Sequence, residues 1–166
     1  IRPESGTGFD INTQSQINSV EMFFTPITTG ASTLFYDPTT GSKYAWNGSG
    51  TVSKSGISKI YVNGVDKTSQ TNISNFLVAE EPCHIVLVFA AAVTGSLQLN
   101  YQTSGGPSNL YKNIAIYEKA LTGTEALTHF NLYTGKPATS VQDPVITMTE
   151  NAPVYYNNDW VVVQTV

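Results

Sequence analysis

One stretch of this chain repeats with the period of a helix and is fenced at both ends. In Thr122-Gly123-Thr124-Glu125 the Thr122 hydroxyl can accept from the Glu125 amide while the Glu125 carboxylate accepts from the Thr122 amide, the reciprocal arrangement of a capping box. Ala126, Leu127, Phe130 and Tyr133 follow at helical spacing and make one apolar stripe. Gly135 can take the left-handed conformation that closes a helix, and Pro137 stops it from continuing. The spacing predicts one short helix over 123–134. Just before it, Ile114 and Ile116 alternate with Ala115 and Tyr117, the two-residue period of a packed strand.

The rest of the chain alternates or turns. Residues 5–18 are rich in Gly, Asn and Gln, with Phe9 and Ile11 as anchors, and read as a first edge strand and loop. In 19–26, Val20, Met22 and Phe24 share one face and Glu21 and Phe23 the other, with Pro26 ending a core strand. Residues 32–36 and 42–46 flank Asp37-Pro38-Thr39-Thr40-Gly41, a turn sequence, and so predict a hairpin. Residues 47–56 form a polar loop around a short strand at Thr51 and Val52. Ile60 and Val62 face one way before Asn63-Gly64, a hairpin turn that returns over 65–68. Residues 83–90 are continuously apolar, as in a central strand covered on both faces or crossing the sandwich core. Residues 96–101 alternate, with Leu97, Leu99 and Tyr101 inward, and 91–95 read as the turn between. Residues 145–149 and 155–163 read as two more strands joined near 151–153, with a further turn at Asn157-Asn158-Asp159. Many short strands with regular turn signals predict an all-β fold, an antiparallel β-sandwich carrying one helix. At 166 residues the chain can bury a core without metals or disulfides. No internal repeat is present, and the expected division is a sandwich over 1–137, with 1–8 as its leader, and a β extension over 138–166 that packs on the sandwich or on a neighbouring subunit.

Ile114-Ala115-Ile116-Tyr117-Glu118-Lys119-Ala120-Leu121, then Thr122 and Glu125, then Leu132-Tyr133, resembles the closing motif of the concanavalin A-like (LamG-like) jelly-roll family. Glu81-Pro82-Cys83-His84-Ile85-Val86-Leu87-Val88-Phe89 resembles the family's central strand, with Pro82 and Cys83 in place of its Trp and first His. Gly8-Phe9-Asp10 is similar to its opening, with Ile11 where a Gly is usual. The resemblance spans roughly 9–137. It implies a jelly roll, sugar binding as one activity of the family and, in parts of the family, calcium held between distant loops.

Charge narrows the partners. Only 12% of residues are charged, and the net charge of −4 is spread thinly, with a lone Arg2 and scattered lysines. Nucleic acid and anionic membranes both demand clustered positive charge, so neither is expected as a partner. No apolar run approaches membrane-spanning length. Cys83 is the single cysteine, which precludes an intrachain disulfide and reads as a small apolar core residue. Ile1-Arg2-Pro3-Glu4 is neither an initiator methionine nor a signal peptide, and the chain reads as an excerpt or processed product of something longer. Low charge with abundant Ser, Thr, Asn and Gly suits viral and secreted β-proteins, so the expected location is a virion surface or the extracellular space.

Chemistry is sparse in the sequence. Glycoside hydrolysis needs two converging carboxylates, and the close pair Glu80-Glu81 points to opposite faces of any strand. His84 lies on an apolar strand and reads as a hydrogen-bonded sheet residue, while His129 falls on the polar side of the helix pattern. No nucleophile-elbow sequence accompanies them. The aspartates at 10, 37, 66, 143 and 159 never fall at ligand spacing, so no metal or other cofactor is expected and calcium has no motif. Asn47-Gly48-Ser49 and Asn72-Ile73-Ser74 are formal glycosylation sequons. Sugars are recognised by aromatic faces with neutral amides, and Trp46, Asn47, Tyr36, Tyr44, Tyr101, Asn109 and Tyr111 offer that chemistry near turns. Trp46 and Asn47 lead because they stand at the mouth of one loop. The expectation is a non-enzymatic lectin-like module of a phage or virus particle, in a fibre, appendage or capsid decoration, binding a surface glycan or host receptor and associating with other virion subunits as a homo-oligomer. The competing readings are a purely structural virion protein and an extracellular glycan-active enzyme.

Overall fold

The computed structural model describes residues 9–27, 30–99, 109–135, 154–156 and 159–161. Two units divide the chain, Ile1–Lys136 and Pro137–Val166. In the first, β1 (Phe9–Pro26), β2 (Ser32–Tyr36), β3 (Lys43–Trp46), β4 (Val52–Ser55), β5 (Ile57–Val62), β6 (Val65–Asp66), β7 (Cys83–Leu99) and β8 (Asn109–Tyr117) form one antiparallel sheet. Its order is β4-β3-β2-β7-β1-β8, with β5 on another stretch of β7 and β6 hairpinned onto β5. Among the described residues the fold is all-β apart from α1 (Gly123–Thr134) and one 3-10 turn at Ile73–Asn75. Among the described residues no helix is long and apolar enough to cross a membrane.

The sheet folds back over itself. Phe35 of β2 stands beside Leu99 of β7 in register. Phe89 lies ten residues earlier on β7, which along a straight strand is about 33 Å. The rings of Phe35 and Phe89 are nevertheless 4.8 Å apart, so β7 must turn back over the core. The β1–β7 ladder shows where: its register shifts between Thr13 and Ile17 and again between Ile17 and Ser19, so that Val93 and Val88 face residues only two apart on β1. The surplus residues of β7 bulge and bend the sheet. Two layers result, and Val20, Met22 and Phe24, Leu34 and Phe35, Tyr44 and Trp46, Ile60 and Val62, and Ile85 and Leu87 fill the space between them.

Two expectations are corrected here. Residues 91–95 are not a turn, because the bulge lets β7 run unbroken from Cys83 to Leu99. The segment expected as an edge strand and loop is, from Phe9 onward, part of β1, and β1 lies between β7 and β8 rather than at an edge. The turn readings hold. Asp37 accepts from the Thr39 amide at 2.8 Å and Gly41 has φ +72°, while Asn63 and Gly64 have φ of +52° and +77°, the paired left-handed conformation of a tight hairpin. In the second unit, β9 (Val154–Tyr156) and β10 (Asp159–Val161) pair antiparallel, so the stretch expected as one strand over 155–163 contributes to two paired strands. Residues 145–149 lie outside the described ones.

The helix begins and ends where its caps place it. The Glu125 amide donates to Thr122 Oγ1 at 3.3 Å, the Thr122 amide donates to Glu125 Oε2 at 2.8 Å, and Gly135 has φ +66°. Its buried face is rotated from the expected stripe. Ala126 is fully buried, but Leu127 and Tyr133 are about 40% exposed, whereas His129 is drawn partly inward. The cause lies on the sheet beneath it.

Candidate functional site

Alternation along β1 sends Ser19, Glu21 and Phe23 to the face opposite the core residues Val20, Met22 and Phe24. The register then dictates their neighbours. Glu21 pairs with Val86 on one side and Ala115 on the other, and Phe23 pairs with His84 and Asn113. His84 and Tyr117 are therefore diagonal neighbours of Glu21, within reach of a long side chain. The Ser19 hydroxyl pins the β8–α1 connection by donating to the Lys119 carbonyl at 2.9 Å and accepting from the Leu121 amide at 2.9 Å. This holds α1 across the same face and brings His129 down onto the carboxylate.

Three side chains share that carboxylate. His84 Nε2 lies 2.7 Å from Glu21 Oε1, His129 Nδ1 lies 3.0 Å from Oε2, and the Tyr117 hydroxyl donates to Oε2. Burial alone would raise the Glu21 pKa, but the hydrogen bonds from His84, Tyr117 and His129 outweigh it and hold the group at about 2, against 4.5 for a free glutamate. Burial and the adjacent Glu21 push the Tyr117 phenol up, so it stays protonated and donates.

An ionised carboxylate only accepts, so each hydrogen must come from the partner ring. His84 carries hydrogen on Nε2, and His129 carries it on Nδ1. His84 Nδ1, buried without a hydrogen-bond partner, sits in a ring stacked on Phe23 at 4.5 Å and Phe130 at 5.9 Å. His129 is about 30% exposed and borders an open groove of about 180 Å³ between α1 and β8, whose walls include Phe23, Asn113, Tyr117 and Tyr133. A separate pocket that shares Phe23 and Tyr133 as walls is lined further by Thr25, Pro82 and Lys112. The arrangement supplies ring faces, an amide and an imidazole of fixed orientation. Among the described residues no group of three or more His, Cys, Asp or Glu converges with the geometry to hold a metal ion.

The residues expected to bind sugar are not brought together as an open platform. Tyr44, Trp46, Asn109 and Tyr111 are buried, with the Trp46 indole donating to the Gly30 carbonyl at 2.6 Å and its ring 6.3 Å from that of Tyr44. These rings are core rings because β3 and the start of β8 face the inner layer. Tyr36 is half-buried and Asn47 exposed. Asn47 Oδ1 accepts from the Ser49 and Thr51 amides at 3.1 and 2.9 Å, which organises its own loop. Tyr101 lies outside the described residues. Glu80 and Glu81 are both exposed. His84 is the hydrogen-bonded sheet residue its strand implied. His129, read as polar-side, instead meets Glu21, and the pattern in which Glu21 and Phe23 share a face was the available signal, since an acid beside a phenylalanine under a helix needs donors.

Comparison of the chain with protein-family models, curated proteins and solved structures finds no match. The likeness to the concanavalin A-like family rests on its sequence motifs alone.

Proposed function

We propose that this chain is a non-enzymatic, lectin-like module on the surface of a virus particle, and that it binds a host-surface glycan in the groove between α1 and β8. One observation carries the reading: the groove combines aromatic walls from Phe23, Tyr117 and Tyr133 with the polar groups of Asn113 and His129. Sugars present apolar C–H faces and hydroxyls in the same ring, which is the complement of such a wall. Among the described residues a single carboxylate, Glu21, borders this groove, and its oxygens are already held by three donors. Glycoside hydrolysis uses two carboxylates about 5–10 Å apart, so binding suits this groove better than cleavage. The low charge of the chain supports display on a particle.

The test is a glycan array on the isolated chain, followed by NMR titration of each hit. Binding that perturbs Tyr117 and His129 supports the reading; an array without hits, or hydrolysis of a polysaccharide panel that stops on Glu21→Gln, defeats it. A second reading, structural packing against neighbouring subunits, is favoured by Leu110 and Ile116 of β8, which are 44% and 41% exposed. Among the described strands β8 is an edge of the sheet. Sedimentation of the wild type against Leu110→Ser/Ile116→Ser distinguishes it, since only packing predicts a loss of self-association.

A further inference from the structure

We infer that the groove selects uncharged sugars over anionic ones, because Glu21 fixes the tautomer of His129. The inference rests on the reading of the groove as a sugar site and specifies its ligand class.

Glu21 Oε2 receives hydrogen from His129 Nδ1 at 3.0 Å and from the Tyr117 hydroxyl. In the neutral ring, a hydrogen held on Nδ1 leaves the lone pair on Nε2, the nitrogen that makes no contact with the carboxylate. A ligand meeting that atom must bring a donor. A sugar hydroxyl does so, and it can accept in return from the Asn113 amide, which also lines the groove. A carboxylate or sulfate brings only acceptors, so lone pairs would face lone pairs.

Charge acts in the same direction. Glu21 is ionised and largely withdrawn from water, so its field in the groove is weakly screened. Of the two lysines on and just after β8, Lys119 pairs with Glu125, while Lys112 Nζ lies over the Tyr133 ring that lines the groove, 5.8 Å from its centroid and away from the Glu21 carboxylate's hydrogen bonds. An acidic group of a sialic acid, uronic acid or sulfated sugar is therefore disfavoured at His129 by hydrogen-bond polarity and by the neighbouring Glu21 charge.

Long-range proton–nitrogen NMR of the His129 ring tests the premise, and hydrogen found on Nε2 in the neutral ring overturns the inference. Titration calorimetry tests the consequence, with neutral hexose oligosaccharides set against matched oligosaccharides carrying one uronic acid. Neutral ligands are expected to bind at least about tenfold more tightly. His129→Gln, which keeps an acceptor, is expected to retain most of that affinity, and His129→Phe to lose about tenfold, with thermal midpoints confirming that both variants fold. Equal or tighter binding of the acidic sugar, with Tyr117 and Asn113 resonances shifting, overturns the selectivity while leaving the groove a sugar site. Unchanged neutral affinity in His129→Phe also overturns it. No response to either sugar class overturns both the selectivity and the sugar-site reading.

Discussion

A Cβ placed on Gly64 would lie 2.9 Å from the Leu127 Cα and 2.6 Å from its Cδ1. The hairpin turn between β5 and β6 therefore lies directly under the backbone of α1. Gly64 also has φ +77°, so any side chain there meets both backbone strain and a wall that cannot swing aside. Gly64→Ala is expected to destabilise the domain by about 2–4 kcal/mol, more than the roughly 1–2 kcal/mol of left-handed strain alone. Urea denaturation checks this; a loss no larger than that of an exposed turn glycine would show that α1 does not press on the hairpin.

Acid should unfold the protein in a window set by Glu21. Its folded pKa, about 2, lies below the ordinary 4.5, so the unfolded chain binds the proton first as pH falls. Stability from this group is complete above about 4.5 and is lost progressively as pH drops toward 2, amounting to about 3 kcal/mol. Glu21→Gln removes the shared charge and leaves buried donors competing for one oxygen, which should cost about 3 kcal/mol or more at neutral pH. The variant should also lose this part of the acid dependence. Equal pH slopes for wild type and variant between pH 5 and 2 would refute the assignment.

The two ends of α1 should respond differently to mutation. Thr122→Ala deletes one half of the capping box and is expected to cost about 1 kcal/mol. Gly135→Val forces a branched side chain into φ +66°, and should cost more than the cap. Chemical denaturation of the two variants gives the order directly.

Tyr44 should prefer to lose its hydroxyl. The side chain is fully buried, and among the described residues the hydroxyl has no hydrogen-bond partner. Burial pushes its pKa up, as expected for a group that gains nothing by ionising there. Tyr44→Phe is expected to be neutral or stabilising by up to about 1 kcal/mol. A clear loss in thermal midpoint would reveal an acceptor for that hydroxyl.

What could be read from the sequence was what depends on neighbours in sequence. The capping box, the Asn63-Gly64 turn and the inward set Val20, Met22 and Phe24 are local patterns, and each appears as expected. The unbroken lengths of β1 and β7 were hidden because a bulge looks like a turn when its hydrogen-bonding partner is unknown. The groove was hidden for a related reason. Glu21 is joined to His84, Tyr117 and His129 across separations of 63, 96 and 108 residues, and nothing in single-chain periodicity couples them. Trp46 and Tyr44 misled because an aromatic beside a polar loop has the same sequence signature whether its ring faces solvent or the core.

The two central ladders have a bearing on how the chain reaches this state at all. Phe9 must find Leu99, and Ser19 must find Tyr117, each roughly ninety or more residues away. Such pairings give a high contact order, since long loops must close before any of the central hydrogen bonds form. The helix can form within microseconds, yet it has no surface to rest on until β1 lies between β7 and β8. Folding should therefore be slow, on the order of milliseconds to seconds. During synthesis β1 must wait unpaired until the chain has been made as far as β7.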